Sequence, residues 1–292
     1  MNGRFLSILR IPQWVKNLFL FAPLVFSKHL FQQDYFIREV EAFFIFCLLS
    51  SSVYVINDIT DREVDRQHPV KKFRPLAAGT LSVPAAVALA ALLLILAGIF
   101  SMRFPASFQF VGALYFILNL AYSFGLKRVI LLDLFVVAAG FMIRVLAGAY
   151  ALDVGTSNWL VLCTLFVSLF LATSKRRGEL VLSQNTEGYA GRAVLKEYDV
   201  PSIDQIMTVA ASGMAISYAL YTVSDRTVTM FGTENLIFTT VFVLFGIFRY
   251  FVLMKKNPTE DNPVRLLLQD GVMVTNIAAW FLTCVVIIYG HQ

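Results

Sequence analysis

YVINDITDREVDRQHPVKKFRPLAAG, residues 54–79, begins inside an apolar run and ends in a basic loop punctuated by Pro69 and Pro75. Its first part, NDITDREVD (57–65), sets four acids in nine positions beside what reads as a membrane span over 41–57. Taken as helix, Tyr54, Asn57, Asp58, Asp61 and Asp65 share an arc of ~100° on one face. Like charges at these spacings repel, and more strongly near lipid. A bound cation reverses the sign of that interaction, and oxygen-only ligands suit magnesium, Mg2+, which also bridges to substrate phosphates. The plainer alternative is a solvated helix end, with Asp61 and Asp65 paired to Arg62 and Arg66. The tail HPVKKFRPLAAG (68–79) favours the first reading, because Lys71, Lys72 and Arg74 follow the acids closely. Metal plus a cationic clamp binds and activates a diphosphate.

Outward from this stretch, composition sets the class. Of the 292 residues 58% are hydrophobic and 15% charged, with mean hydropathy +0.71. A soluble domain of this length carries about 25% charged residues, so an all-α membrane protein is expected. Nine apolar stretches read as spans: 17–31, 41–57, 83–102, 106–124, 132–151, 158–174, 205–223, 235–254 and 270–289. Together they make one integral membrane domain over 1–292. The first stretch shows no cleavage site and is expected to remain as a helix. The three cysteines lie inside apolar runs and read as small buried hydrophobes.

The net charge of +5 fits either a nucleic-acid binder or a protein facing anionic lipid. Its distribution decides for the bilayer. Nineteen Lys and Arg fall in one set of loops and four in the other, leaving Arg144 inside a span. The positive-inside rule puts the N-terminus and the acidic mouth in the cytoplasm and the C-terminus outside, in a cell-membrane protein with no nucleic-acid partner. A homo-oligomer is left open.

Further polar residues stand out. Arg144 costs at least ~2.5 kcal/mol in a span and calls for a polar cavity or an acid. Lys16 and Lys127 fit either a substrate site or lipid headgroups, and Tyr54 either the site or an interfacial aromatic. Asp133 fits a partner for Lys127 or a helix cap. His68 suits a turn before Pro69 better than a base. Lys175, Arg176 and Arg177 fit a substrate clamp or a positive-inside anchor, and Asp199 and Asp204 a weak acidic pair or helix caps.

NDxxDxxxD after the second span of a nine-span chain resembles the UbiA superfamily of intramembrane prenyltransferases. RIPQWVKN (10–17), the 54–79 stretch, YSFGLKRVILLD (122–133) and SKRRGEL (174–180) are similar to its decaprenyl-phosphate phosphoribosyltransferase branch. That resemblance implies a UbiA-like helix bundle taking phosphoribosyl pyrophosphate (PRPP) and a polyprenyl phosphate as substrates, with magnesium as cofactor. It implies that Lys16, Tyr54, Asn57, Asp61, Lys71, Lys127 and Arg144 line the PRPP–magnesium site. Asn57 and Asp61 are then the metal ligands, with Asp58 and Asp65 as further catalytic carboxylates. Arg74, Lys175 and Arg176 join the substrate-binding cations. The chain departs from the prenyltransferase pattern where a second acidic motif is usual, reading SKRRGELVLSQNTEGYAGR instead. More cation and less carboxylate suits two anionic substrates. The rival expectations are prenyl transfer to an aromatic or other small acceptor, and a transporter or lipid-binding protein without catalysis.

Overall fold

The computed structural model describes residues 7–67, 70–185 and 193–290, and these are helical with no strand among them. Arg4, His68, Pro69 and Arg192 lie outside the described residues, as does the turn expected at His68. Two compact units divide at Thr156 and Ser157.

The first unit opens with a 3-10 segment, Ile11–Phe21, that runs into helix α1, Ala22–Phe26. Its remaining helices are α2 (Gln33–Thr60), α3 (Arg62–Gln67), α4 (Val83–Ser101), α5 (Ala106–Phe124) and α6 (Leu132–Leu152). The second unit holds α7 (Asn158–Asn185), α8 (Val200–Val223), α9 (Asp225–Phe231), α10 (Thr240–Lys256), α11 (Pro263–Gln269) and α12 (Gly271–Tyr289). Among the described residues eight helical segments are long and apolar enough to cross a membrane. They correspond to the second through ninth expected spans.

The first expected span, 17–31, takes a different form. Pro12 precedes it and Pro23 lies within it, and Pro23 has no N–H with which to close a turn onto Leu20 or Phe19. The chain over 11–21 winds as 3-10 helix instead, whose rise of ~2.0 Å per residue exceeds the α value. With α1, residues 11–26 give about 30 Å of helical rise, near the ~30 Å hydrocarbon thickness, from fewer residues than an α-helical span needs.

Helices α2 and α6 are the interior of the first unit: 61% and 67% of their apolar windows are buried, against 22% for α4 and for α5. The exposed faces of α4 and α5 carry Leu92, Ile95, Ile99, Phe110 and Ile117, as lipid contact requires. Phe46, Leu49, Val53, Phe108, Val111, Tyr115 and Ile143 form the packed centre. Small residues let α6 approach its neighbours closely. A Cβ added at Gly148 would lie 2.1 Å from the Leu20 carbonyl oxygen, so glycine alone fits. In the second unit, Phe170, Met207, Ala210, Tyr250 and Met273 form a separate core.

Candidate active site

The acidic stretch lies where α2 ends. Helix α2 stops at Thr60, Asp61 forms a turn (φ −96°, ψ 3°), and α3 restarts at Arg62. Helical hydrogen bonds bridge the break: Asp61 N–H donates to Asn57 O at 2.9 Å, and Asp65 N–H to Asp61 O at 2.8 Å. The C-terminus of a helix carries partial negative charge, which makes clustered carboxylates there still less favourable without cations.

Cations arrive from four separate segments. Arg10, just ahead of the 3-10 segment, pairs with Asp58, and its guanidinium lies 5.0 Å from the centre of the Tyr54 ring. Arg74 Nη1 bridges Asp58 (3.2 Å) and Asp65 (2.5 Å), tying the basic loop back onto the helix end. Lys127, from the turn after α5, pairs with Asp61. The Tyr54 hydroxyl lies within electrostatic reach of Lys16, Arg144 and Arg10. Asn57 sits at the junction: its Nδ2 donates to Asp61 Oδ2 at 3.1 Å, and its Oδ1 accepts from Ser123 Oγ at 3.3 Å.

These pairings differ from the simple helix-end alternative. Asp65 pairs with Arg74 and Asp61 with Lys127, whereas Arg62 Nε donates to Leu76 O (3.3 Å) and Arg66 pairs with Glu63. Lys71 is half-buried in the turn preceding Arg74. Asp133 is fully buried in the first turn of α6.

Arg144 lies deeper, 4% exposed on α6, where its side chain turns back toward the helix N-terminus. Its Nε donates to Asn17 Oδ1 (2.8 Å), Nη1 to Gly140 O (2.8 Å) and Nη2 to Tyr115 OH (2.7 Å). The polar surroundings expected of an intramembrane arginine are present, built from neutral groups. Asn17 is itself held, donating to Ser50 Oγ (3.2 Å) and Cys47 Sγ (3.3 Å).

Lys16, Tyr54, Asn57, Asp58, Asp61, Asp65, Lys71, Arg74, Lys127 and Arg144 all belong to the first unit. Lys175 and Arg176 belong to the second. There Arg176 is 2% exposed and bonds Glu179 Oε2 at 2.6 Å along α7, while Arg177 bonds Asp204 at 2.7 Å. Asp199 caps α8 by accepting from Ser202 N–H at 2.6 Å. Sequence reasoning did not single out Arg10, Asn17, Tyr115 or Ser123. For Arg10 and Asn17 the signal was present, since they bracket the stretch RIPQWVKN; nothing local marks Tyr115 or Ser123.

Asn57 and Asp61 fit magnesium in donor type, an amide and a carboxylate one turn apart at one helix end, each able to offer an oxygen once the Asn57 amide turns from its present bond to Asp61. Among the described residues no group of three or more His, Cys, Asp or Glu is gathered for a metal. That is compatible with an ion that takes one or two carboxylates and completes its shell with water and substrate phosphate.

A bundle of membrane-spanning helices, with carboxylates and converging cations at one end of its first unit, defines a membrane-embedded transferase. The chain belongs to the UbiA prenyltransferase family, whose profile matches residues 39–277, across both units. It is 36% identical to the decaprenyl-phosphate phosphoribosyltransferase of Mycolicibacterium smegmatis, over 97% of this chain and 92% of that one. It is 38% identical to the Corynebacterium glutamicum enzyme of the same name, over 74% and 66% respectively. A UbiA homolog from Archaeoglobus fulgidus, solved bound to GPP and Mg2+, shares the fold with a TM-score of 0.72 at 16% identity, covering 97% of this chain and 99% of that one.

Proposed function

We propose that this transferase moves the 5-phosphoribosyl group of PRPP to a polyprenyl phosphate, releasing diphosphate. The observation that carries the reading is the excess of cations over carboxylates. Arg10, Arg74 and Lys127 pair with Asp58, Asp61 and Asp65, and Lys16 and Arg144 add two further charges around Tyr54 on the same helix. A site built only to hold a metal has no use for that excess; one built for two phosphorylated substrates needs it. The names of the mycobacterial and corynebacterial relatives support the same substrates.

Asn57 and Asp61 would hold magnesium, which when bound neutralises charge on the diphosphate oxygens. Lys127 and Arg74 are held close by Asp61, Asp58 and Asp65, and are placed to turn onto phosphate oxygens. Lys71 and Lys16 add charge at the rim. As the bond between the anomeric carbon and the diphosphate oxygen breaks, these cations stabilise the leaving anion. A phosphate oxygen of the lipid acceptor forms the new bond on the opposite face. That acceptor is already an anion, so no strong general base is required. Asp58 and Asp65 act by fixing Arg10 and Arg74. Arg176, held by Glu179, is assigned to the second unit's own packing in preference to substrate, and Lys175 remains a substrate-binding candidate. The charge sorting supports a cytoplasmic mouth, where a soluble donor enters, and 11–26 as the ninth crossing.

Purified protein in lipid nanodiscs, given magnesium, labelled PRPP and polyprenyl phosphate, should form polyprenylphosphoryl 5-phosphoribose. Asp61→Asn should abolish that turnover. Product only from prenyl diphosphate and an aromatic acceptor would replace this reading with prenyl transfer.

A further inference from the structure

Arg144 combines two properties that conflict unless a ligand resolves them. It is a full positive charge at 4% exposure in a membrane-spanning helix, and its partners are an amide oxygen, a backbone carbonyl and a phenol. Among the described residues no carboxylate pairs with it. An arginine in such a place is ordinarily neutralised, because an unpaired buried charge is strongly destabilising. Its three hydrogen bonds use Nε and one N–H on each terminal nitrogen, leaving two of the five guanidinium N–H donors for a ligand.

The residue that decides the charge state is Asn17. Its Oδ1 stands where a carboxylate oxygen would make an Arg–Asp pair, and aspartate has the same shape. The surroundings would accept that change, since the Ser50 hydroxyl beside Asn17 Nδ2, which donates to Cys47 O at 3.2 Å, can turn its hydrogen toward a new oxygen instead. We propose that Asn17 is a positioning residue whose neutrality keeps Arg144 oriented yet electrically uncompensated, so that its charge is available to a phosphoryl oxygen of a substrate. Tyr115 has the lesser part. Its hydroxyl accepts from Nη2, and its ring centre lies 4.7 Å from the guanidinium carbon, which supports the cation without neutralising it. Lys16 and Arg10 share the electrostatic neighbourhood of Tyr54 with Arg144, placing the free charge in the same cationic group as the rest of the site.

The phosphoryl oxygen has two sources, the soluble donor and the lipid acceptor. Naming those substrates rests on the phosphoribosyl-transfer reading, but the charge argument does not. The test therefore starts with inorganic diphosphate and magnesium, measured by equilibrium binding to the full-length protein in nanodiscs. Asn17→Asp should weaken diphosphate binding about ten- to a hundredfold, and should raise the thermal midpoint of the ligand-free protein. A purely structural Asn17 predicts no such opposition between stability and anion affinity. Tyr115→Phe, which keeps the ring, should weaken binding a few-fold without that stabilisation. Steady-state arms then separate the sources. A KM raised for PRPP alone assigns Arg144 to the donor, one raised for polyprenyl phosphate alone assigns it to the acceptor, and kcat should fall less than either KM rises. Diphosphate bound equally by wild type, Asn17→Asp and Tyr115→Phe overturns the proposal, as does failure of the wild type to bind it. Normal diphosphate binding without phosphoribosyl transfer leaves the role of Asn17 standing and removes only the substrate assignment.

Discussion

Arg144 on α6 and Arg176 on α7 are both buried in membrane-spanning helices, one in each unit, at 4% and 2% exposure. Arg176 has a carboxylate of its own, Glu179, one turn along the same helix at 2.6 Å. Among the described residues Arg144 has only neutral acceptors. The same contrast extends around each residue. In the second unit Arg177 pairs with Asp204 and Arg249 with Asp270, each at 2.7 Å. In the first unit one arginine, Arg74, is divided between Asp58 and Asp65, and Asn57 links Asp61 to Ser123. In the second unit each of these arginines has a carboxylate of its own; in the first, one arginine is shared by two aspartates and Arg144 meets no carboxylate among the described residues. A buried cation is thus evidence of function only when its compensation is incomplete.

The contrast is broken most sharply from the second unit. Glu179→Ala should take the Glu179 carboxylate from the buried Arg176 and destabilise by about 3–5 kcal/mol. A paired Arg176→Met, Glu179→Leu replacement should restore most of the loss. Thermal unfolding of the nanodisc-embedded protein checks both, and a Glu179→Ala protein as stable as wild type would place Arg176 with Arg144.

Arg144→Met should behave in the opposite way. Removing a charge that lacks a carboxylate relieves the fold, so the thermal midpoint should hold or rise. Turnover should fall about a hundredfold, near the value of a charge-assisted hydrogen bond to an anion. Loss of stability and activity together would make Arg144 a structural residue like Arg176. Asp65→Asn comes next in size. It frees Arg74 from its shorter contact, and KM for the anionic donor should rise about three- to tenfold with little change in kcat.

Long apolar runs were readable because the bilayer leaves helix as the available form for them. The second through ninth expected spans all correspond to helices, and most begin or end within a few residues of the expected position; α2 and α7 extend well past their apolar runs into polar sequence. The first span was readable as apolar but not as 3-10, since Pro12 and Pro23 act through hydrogen bonds they fail to make and not through hydropathy. At the site, one-helix periodicity grouped Tyr54, Asn57, Asp58, Asp61 and Asp65. It said nothing of which cation each acid meets. Arg10 and Asp58 are 48 positions apart, and Asn17 and Arg144 are 127 apart. Such pairings are set by packing of separate segments, and no local pattern encodes them. The nearby Arg62 and Arg66 were therefore the obvious partners on paper, yet the fold uses Arg74 and Lys127.

The smallest expected effect lies at Asp199, where the sequence offered a weak acidic pair and the fold uses one member as a cap. Its carboxylate accepts the Ser202 N–H at the start of α8, and that bond holds its pKa below the ordinary aspartate value. A folded pKa lower than the unfolded one means the contribution is complete above the ordinary value of 3.8 and is lost as pH falls through the folded value. Asp199→Ser retains a capping oxygen without the charge, whereas Asp199→Ala removes both. Asp199→Ala should therefore lower the thermal midpoint slightly at neutral pH, and its difference from wild type should shrink in acid. Asp199→Ser should lie between the two, with turnover unchanged in both variants. A marked loss of magnesium-dependent turnover in either would mean that Asp199 serves the chemistry, and would bring the second unit closer in character to the first.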